Sequence, residues 1–402
     1  MYAVHLLGQI LDVNHDSTLP PLPAKVDLAV VGAGAVGLAH AVEAHVRGLS
    51  VLVVDAAQRP AGSTARRGGH VAITTQDSTA LACALASRER WLKLGREAGF
   101  GVRESGAVVV ARHVDELAVL DDLVAARAGD ATLLTGQEVA DHAPAPDAVG
   151  GALLPLDLRV EPASALGIIA DWLGGRPQAH VAWTTAAQTF DAGSGCTLLR
   201  TSRGEVVAKR VVVAVGHDVG QLFGEVGDRL LPVRRQMLRI SSPLPDGGRA
   251  AERVAAGPVL VGASTLLRDS AYLHSRALGE VRERLRTRHP DLLAAEIHLT
   301  LAAQPDGSVV VGDGRAPADA PGRSEDVDEL LLRETAALLG TGRPTVRSRW
   351  SATEVVRAPE PGADDPFVLT EPMPGVRTVT VADGLATTTA LGLAPRMLDS
   401  LF

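Results

Sequence analysis

A glycine turn set between two apolar runs constrains this chain more than any other feature. Residues 26–55 read V-D-L-A-V-V-G-A-G-A-V-G-L-A-H-A-V-E-A-H-V-R-G-L-S-V-L-V-V-D. The first run, with Val26, Leu28, Ala29, Val30 and Val31, has the continuous apolar character of a buried parallel strand. Gly32, Gly34 and Gly37 follow at G-x-G-x-x-G spacing, with Ala33, Ala35 and Val36 between them. In that spacing the first glycine permits a tight turn and the second lets backbone approach a pyrophosphate. The third lets the helix pack close to the strand. Val36, Leu38, Ala39, Val42 and Val46 give the helix an apolar stripe that Gly48 ends. A second strand closes on Asp55, 18 residues after Gly37, where an acid accepts hydrogen bonds from a ribose. The stretch predicts a strand–helix–strand dinucleotide site opening a doubly wound α/β sheet.

Length and composition bound the rest. The 402 residues leave room for two domains. Aromatics are 3% of the chain and the net charge is −8. Base-stacking surfaces and attraction to polyanions are therefore excluded as organising themes, and no nucleic-acid partner is expected. The two cysteines, Cys83 and Cys196, are far apart. They form neither a zinc cluster nor a disulfide framework, which fits a reducing cytoplasm. No metal site and no membrane span are expected. The start of the chain lacks the basic flank and cleavage site of a signal peptide. Residues 1–23 read as an extension with a proline-rich end.

Beyond Asp55 and Ala56, a loop of small residues carries Arg66 and Arg67. A second glycine-ended apolar run, R-V-V-V-A-V, closes on Gly216, where a nucleotide-binding domain is expected to return to its ligand. Alternating and helical stretches between these segments imply two interleaved units. The nucleotide-binding unit is expected over 24–97, 155–233 and 346–402. A mixed-sheet (α+β) substrate unit is expected over 98–154 and 234–345. Pro395 is expected in the first turn of a terminal helix.

Four stretches make the pattern recognisable. G-S-T-A-R-R-G-G-H (62–70), R-V-E-P-A-S-A-L (159–166), L-P-V-R-R-Q-M-L-R (231–239) and A-T-T-T-A-L-G-L-A (386–394) resemble segments of the D-amino-acid oxidase, glycine oxidase and sarcosine oxidase superfamily of flavoenzymes. With T-L-L-R-D-S-A-Y (265–272) and R-S-R-W-S-A (347–352), they look most like a branch associated with phosphonate breakdown and proposed to oxidise an aminophosphonate. The resemblance implies FAD. It implies that Gly32 to Gly37 cradle the pyrophosphate and that Ser63, Thr64 and Arg66 give donors to phosphate. Arg67, Gly68, Gly69 and His70 then pass along the flavin, and Thr387, Thr388 and Thr389 aim N–H groups at its pyrimidine oxygen. Neither cysteine matches the family's covalent attachment stretch, so FAD is expected to be non-covalent.

The implied chemistry is oxidation of a C–N bond of a small amine, with hydride passing to the flavin and the imine hydrolysing. Oxygen or another acceptor would then reoxidise the flavin. Arg268, Arg349 and Arg235 are the candidate anchors for an acidic substrate group, Tyr272 a hydroxyl donor, and His70 a group facing the flavin. Plain structural roles stand beside these: a solvated pair for Arg66 and Arg67, a strand-end surface charge for Arg349, a structural histidine for His70. Glycine oxidase relatives carry an arginine in a W-x-G-L-R-P stretch for the substrate carboxylate. This chain has Glu354 near that place, where it could meet an ammonium group or pair with a neighbouring arginine. Two other readings stay open at the level of sequence, a nicotinamide-dependent dehydrogenase and a flavin-binding subunit without turnover of its own.

Overall fold

The computed structural model describes residues 19–242, 257–316, 322–358 and 365–402. Most of the extension expected over 1–23, including Tyr2, lies outside the described residues.

Strands β1 (Lys25–Val31) and β2 (Val51–Val54) run parallel and adjacent. β2 is buried at every position, as a V-L-V-V run must be when both faces of a sheet are covered. Helix α1 (Ala35–Val46) makes the crossover. Gly32 sits at φ 103°, and a Cβ there would lie 2.5 Å from the Ala214 carbonyl oxygen. A Cβ on Gly37 would lie 1.8 Å from the Gly32 carbonyl oxygen, so the helix packs against its own turn only with hydrogen at that position. Gly34 has nothing within 4 Å of its Cβ position. Its bare face is open.

β1 and β2 lie near the centre of an eight-stranded sheet. Gly204–Val213 pairs parallel with β1, Ala179–Ala182 parallel with β2, and Val376–Val381 parallel with the end of Gly204–Val213. The hairpin Ala187–Ala192/Thr197–Thr201 and the strand Phe367–Met373 add antiparallel edges. The segments that come together here are separated by more than 100 residues of chain.

A second eight-stranded sheet, mostly antiparallel, has the order Val346–Arg357, Leu230–Ile240, Val309–Arg315, Thr300–Ala303, Val259–Gly262, Ala107–Ala111, Gly150–Leu154 and Thr132–Thr135. Val346–Arg357 pairs along its length with Leu230–Ile240. It therefore belongs to this sheet, although the boundaries read from sequence put it in the nucleotide-binding unit. A short third sheet of His70–Val71, Leu158–Val160 and Val102–Arg103 fastens the loop that follows the glycine turn.

Two helices place the end of the chain. Helix α2 (Ser78–Ala98) starts at Asp77, whose side chain accepts from Ser78 N, and stops at Gly99 with φ 85°. It crosses the last helix, Ala386–Asp399, so closely that a Cβ on Gly392 would lie 2.1 Å from the Cys83 carbonyl oxygen. Trp91 Nε1 donates to the Thr387 carbonyl oxygen at 2.8 Å. Pro395 lies inside the last helix rather than in its first turn. The helix starts nine residues earlier, where Asp383 (φ 59°) and Gly384 (φ 75°) reverse the chain. No helix among the described residues is long and apolar enough to cross a membrane.

The packing of α1 makes a testable prediction about pH. His40 is fully buried, its Nδ1 donates to the Val36 carbonyl oxygen at 2.7 Å, and Nε2 has no partner. Burial pulls its pKa from 6.5 down to about 4, against the opposing pull of the Val36 bond and the Glu43 carboxylate. The unfolded chain therefore binds this proton more tightly. The stabilisation is complete above the ordinary histidine pKa and is lost as pH falls toward the folded value. Relative to His40→Leu, wild type should lose about 2 kcal/mol between pH 7 and pH 5 in urea unfolding. Parallel stability curves for the two proteins would contradict this.

Candidate functional site

The glycine turn opens on a cavity of about 580 Å³. Its walls are Gly32 to Val36 at the start of α1, Asp55 to Ala57 after β2, Gly62 to Ala65, Thr185 to Ala187, and Ala214 to Asp218. Val379 to Val381 and Ala386 complete it. Most of these segments sit at the carboxyl end of a strand or the start of a helix, where open α/β sheets bind ligands. Asp55 faces the cavity, and its carboxylate accepts from Ala33 N at 2.7 Å and Ala57 N at 2.8 Å. It therefore holds the glycine turn in shape and still has lone pairs for a hydroxyl.

A second, smaller cavity continues along the same two chain segments. It is lined by Arg67, Gly68, Gly69 and His70 on one, and by Asp383 to Leu385, Thr387 and Thr388 on the other. Residues of the second sheet and its loops close it, chiefly Met237, Arg268, Asp269, His298, Thr300 and Asp313. The first N–H groups of the last helix have no intrahelical partners, and they lie at this wall. The two cavities meet at 65–67 and 385–387, giving the long, bent site that an extended dinucleotide requires.

A buried charge cluster ties the two units together. The Asp313 carboxylate receives Arg67 Nη1 at 2.8 Å and Arg268 Nη1 at 2.9 Å, with Arg235 Nε at 3.7 Å. Arg67 Nη1 also meets Glu354 Oε1 at 2.8 Å, and Arg235 Nη2 meets Glu296 Oε2 at 3.1 Å. Burial alone would raise the Asp313 pKa, but the Arg268, Arg67 and Arg235 guanidiniums hold it far below the usual carboxylate range. Burial also works against the charge on Arg268, yet Asp313 and Glu354 more than offset it and push its pKa up. Arg235 goes the other way, pulled down by burial and by the like charge of Arg268.

His70 is held from behind. Its Nε2 lies 2.8 Å from Asp157 Oδ2, and Asp157 also accepts from Ile73 N, Thr74 N and Thr74 Oγ1. His298 is held in the same way by Asp269, at 3.3 Å.

The structure brings together most of the residues singled out from sequence. Gly32 to Val36, Asp55, Ala56, Ser63, Thr64 and Gly216 line the long cavity. Arg67 to His70, Arg268, Thr387 and Thr388 line the smaller one, and Glu354 pairs with Arg67 beside it. Gly37 packs against the Gly32 turn and Arg235 sits in the charge cluster, neither lining a cavity, and four others point elsewhere. Arg349 pairs with the buried Asp328 at 3.0 Å, away from both cavities, because its neighbours along the strand alternate faces. Arg66 is exposed, and its Nη1 donates to the Ser351 carbonyl oxygen at 3.1 Å. Thr389 has its N–H and its hydroxyl bonded to the Leu385 carbonyl oxygen, so neither points at a ligand. Tyr272 is packed in the core of the second unit, its hydroxyl without a partner and its pKa pushed well above the ordinary value by burial.

Asp157, Asp313, His298 and Asp383 were missed by the sequence reading. A signal existed for Asp313, an acid inside the apolar run V-V-V-G-D-G. Such a residue needs cationic partners if buried. Nothing in the sequence pointed to the other three.

Cys83 is buried and Cys196 half-buried, and neither lines either cavity.

Comparison with known proteins agrees with this geometry. The family model described as "FAD dependent oxidoreductase" (DAO) matches residues 27–398. Among solved structures, L-amino acid deaminase from Proteus vulgaris superposes with a TM-score of 0.71 at 17% identity, covering 96% of this chain and 91% of that one. Glycine oxidase from Geobacillus kaustophilus gives 0.70 at 17% identity, covering 94% and 95%. L-α-glycerophosphate oxidase from Mycoplasma pneumoniae, solved with FAD bound, gives 0.70 at 15%, covering 93% and 95%. At these identities the structures share the fold. A 44-residue stretch is 52% identical to ferredoxin–NADP reductase from Ralstonia nicotianae, but it spans 11% of this chain and only 12% of that protein. The nicotinamide alternative left open by the first 55 residues gives way to the family match over nearly the whole chain. With the long cavity, the open face of Gly34 and the returning helix all in place for FAD, this chain belongs to the DAO family of FAD-dependent oxidoreductases.

Proposed function

We propose that this enzyme oxidises the C–N bond of a small amine bearing an acidic group, either an amino-acid-like compound or an aminophosphonate. The observation that supports this most is the charge pattern of the smaller cavity. A guanidinium, Arg268, faces it beside carboxyl groups, which suits a ligand that is itself both anionic and cationic. The names of the structural neighbours lean the same way, with amino acid deaminase, glycine oxidase and iminodiacetate oxidase among them. The glycerophosphate oxidase shows that the fold alone does not choose between amines and alcohols, so the choice rests on the cavity.

FAD, when bound, supplies the two-electron acceptor. The chain's own residues do the remaining work. The start of α1 presents unpaired N–H groups to phosphate, with Ser63 and Thr64 across the cavity. Asp55 is placed for a ribose. The N-terminal end of the last helix favours negative charge where Thr387 and Thr388 line the wall. Arg268, kept ionised by Asp313, binds the acidic group of the substrate, and a planar guanidinium suits carboxylate or phosphonate. His70, oriented by Asp157, closes the opposite side. The position of both cysteines away from the cavities supports non-covalent FAD.

Anaerobic reduction of the FAD-loaded protein tests this reading, with glycine, sarcosine, D-alanine and 2-aminoethylphosphonate as probes. Bleaching of the flavin absorbance by at least one is expected. Bleaching by none of them would overturn it.

Two substitutions test the assigned roles. Gly34→Ala meets no clash, so its apoprotein should unfold within about 0.5 kcal/mol of wild type while failing to retain FAD. Gly37→Ala should destabilise the apoprotein itself by about 3 kcal/mol. Both are read from urea unfolding and flavin content. Arg268→Met should raise the Kd for the reducing amine about 10- to 100-fold, measured by the substrate dependence of flavin reduction. An unchanged Kd would remove Arg268 as the anchor.

A further inference from the structure

We propose that Asp383 takes the proton from the ammonium group of the bound substrate. This rests on the reading that the smaller cavity receives an amine. In neutral water such an amine is protonated and its nitrogen lone pair is bound up. Oxidation of the C–N bond needs that lone pair free, so an amine that binds as the ammonium must give up a proton in the cavity.

Each of the other acids around the cavity already has a basic partner. Asp313 is the shared counter-ion of three guanidiniums. Glu354 Oε1 is paired with Arg67, while its buried Oε2 accepts no hydrogen bond and lies 4.0 Å from Arg268 Nη2, and Asp269 holds His298. Asp383 lines the same cavity, and its carboxyl has no hydrogen-bond or ion-pair partner among the described residues.

Its main chain is fixed on both sides. Its N–H donates to the Val355 carbonyl oxygen at 2.9 Å, and its carbonyl oxygen accepts from Arg268 Nη2 at 3.4 Å. Its φ of 59° is left-handed, a conformation that aspartate adopts more readily than most residues. Gly384 follows at φ 75°, and a Cβ there would lie 2.6 Å from Arg67 Nη2 and 3.1 Å from Glu354 Oε2. The turn therefore pins Asp383 at the cavity wall beside Arg268, the residue assigned to the acidic end of the substrate.

The charges that face it decide its readiness to accept a proton. Burial raises its pKa most. Arg268 and Arg235 oppose this, Glu354 and Glu296 add to it, and the net result is a carboxyl that holds a proton more firmly than an ordinary aspartate. That narrows the gap to an ammonium group. In the transfer one N–H bond breaks with its electron pair staying on nitrogen, and one O–H bond forms on Asp383. Nothing is oxidised in this step, and the proton later returns to solvent.

The test is the pH dependence of anaerobic flavin reduction in the FAD-loaded wild type, Asp383→Asn and Asp383→Glu, using the same four amines. Asparagine also tolerates the left-handed turn; flavin absorbance and melting temperature check that the variants are intact. Asp383→Asn must wait for amine deprotonated in solution. It should be about 100-fold slower than wild type at pH 7.5 and should approach the wild-type rate by pH 10. Asp383→Glu, which keeps a carboxyl, should recover part of the loss at pH 7.5. A variant profile parallel to wild type, whether slowed or not, overturns the assignment alone. Failure of all four amines to reduce wild type at every pH overturns the amine reading and this assignment with it.

Discussion

The Asp313 carboxylate is the contact on which the smaller cavity depends. One buried acid serves Arg67 from the loop that follows the glycine turn, and Arg268 and Arg235 from the second unit. Three guanidiniums this close would repel one another and pay a large desolvation cost without it. With it, a loop belonging to the nucleotide-binding unit is drawn against the second sheet, and the wall that would face the reactive end of FAD becomes a joint product of both units. Glu354 reinforces the same join through Arg67.

Much of the fold was legible in the sequence because it rests on local rules. Gly32, Gly34 and Gly37 lie where spacing alone put them; Gly32 and Gly37 have steric reasons to lack a side chain, while Gly34 leaves an open face on the cavity. Asp55 also lies where expected, though its first task is to hold the Ala33 and Ala57 N–H groups. Arg210 to Val215 reads as a buried apolar strand, and Arg210 to Val213 pair with β1. The boundaries were less legible. Val346–Arg357 pairs with Leu230–Ile240 across more than 100 residues, and no local pattern says which sheet a long alternating strand will join.

The cavity near the reacting end was the least legible part, for a physical reason. Its properties come from pairs of charges distant in sequence. Arg349 and Arg268 look alike in sequence, yet one is matched by Asp328 away from the cavities and the other by Asp313 at the cavity wall. Asp383 drew no attention because its role depends on the absence of a partner. Thr389 followed Thr387 and Thr388 in the sequence, but one more residue of helix turns its N–H inward to the Leu385 carbonyl oxygen.

The central claim is that Asp313 is the shared counter-ion that assembles the smaller cavity, and equilibrium unfolding of Asp313→Asn tests it most directly. Removing one partner of a buried charge cluster leaves the others uncompensated, so the variant should lose about 3–5 kcal/mol. Combining it with Arg268→Met should return part of that loss, because one of the stranded charges goes with it. An Asp313→Asn protein within about 0.5 kcal/mol of wild type, with no coupling to Arg268, would contradict the account.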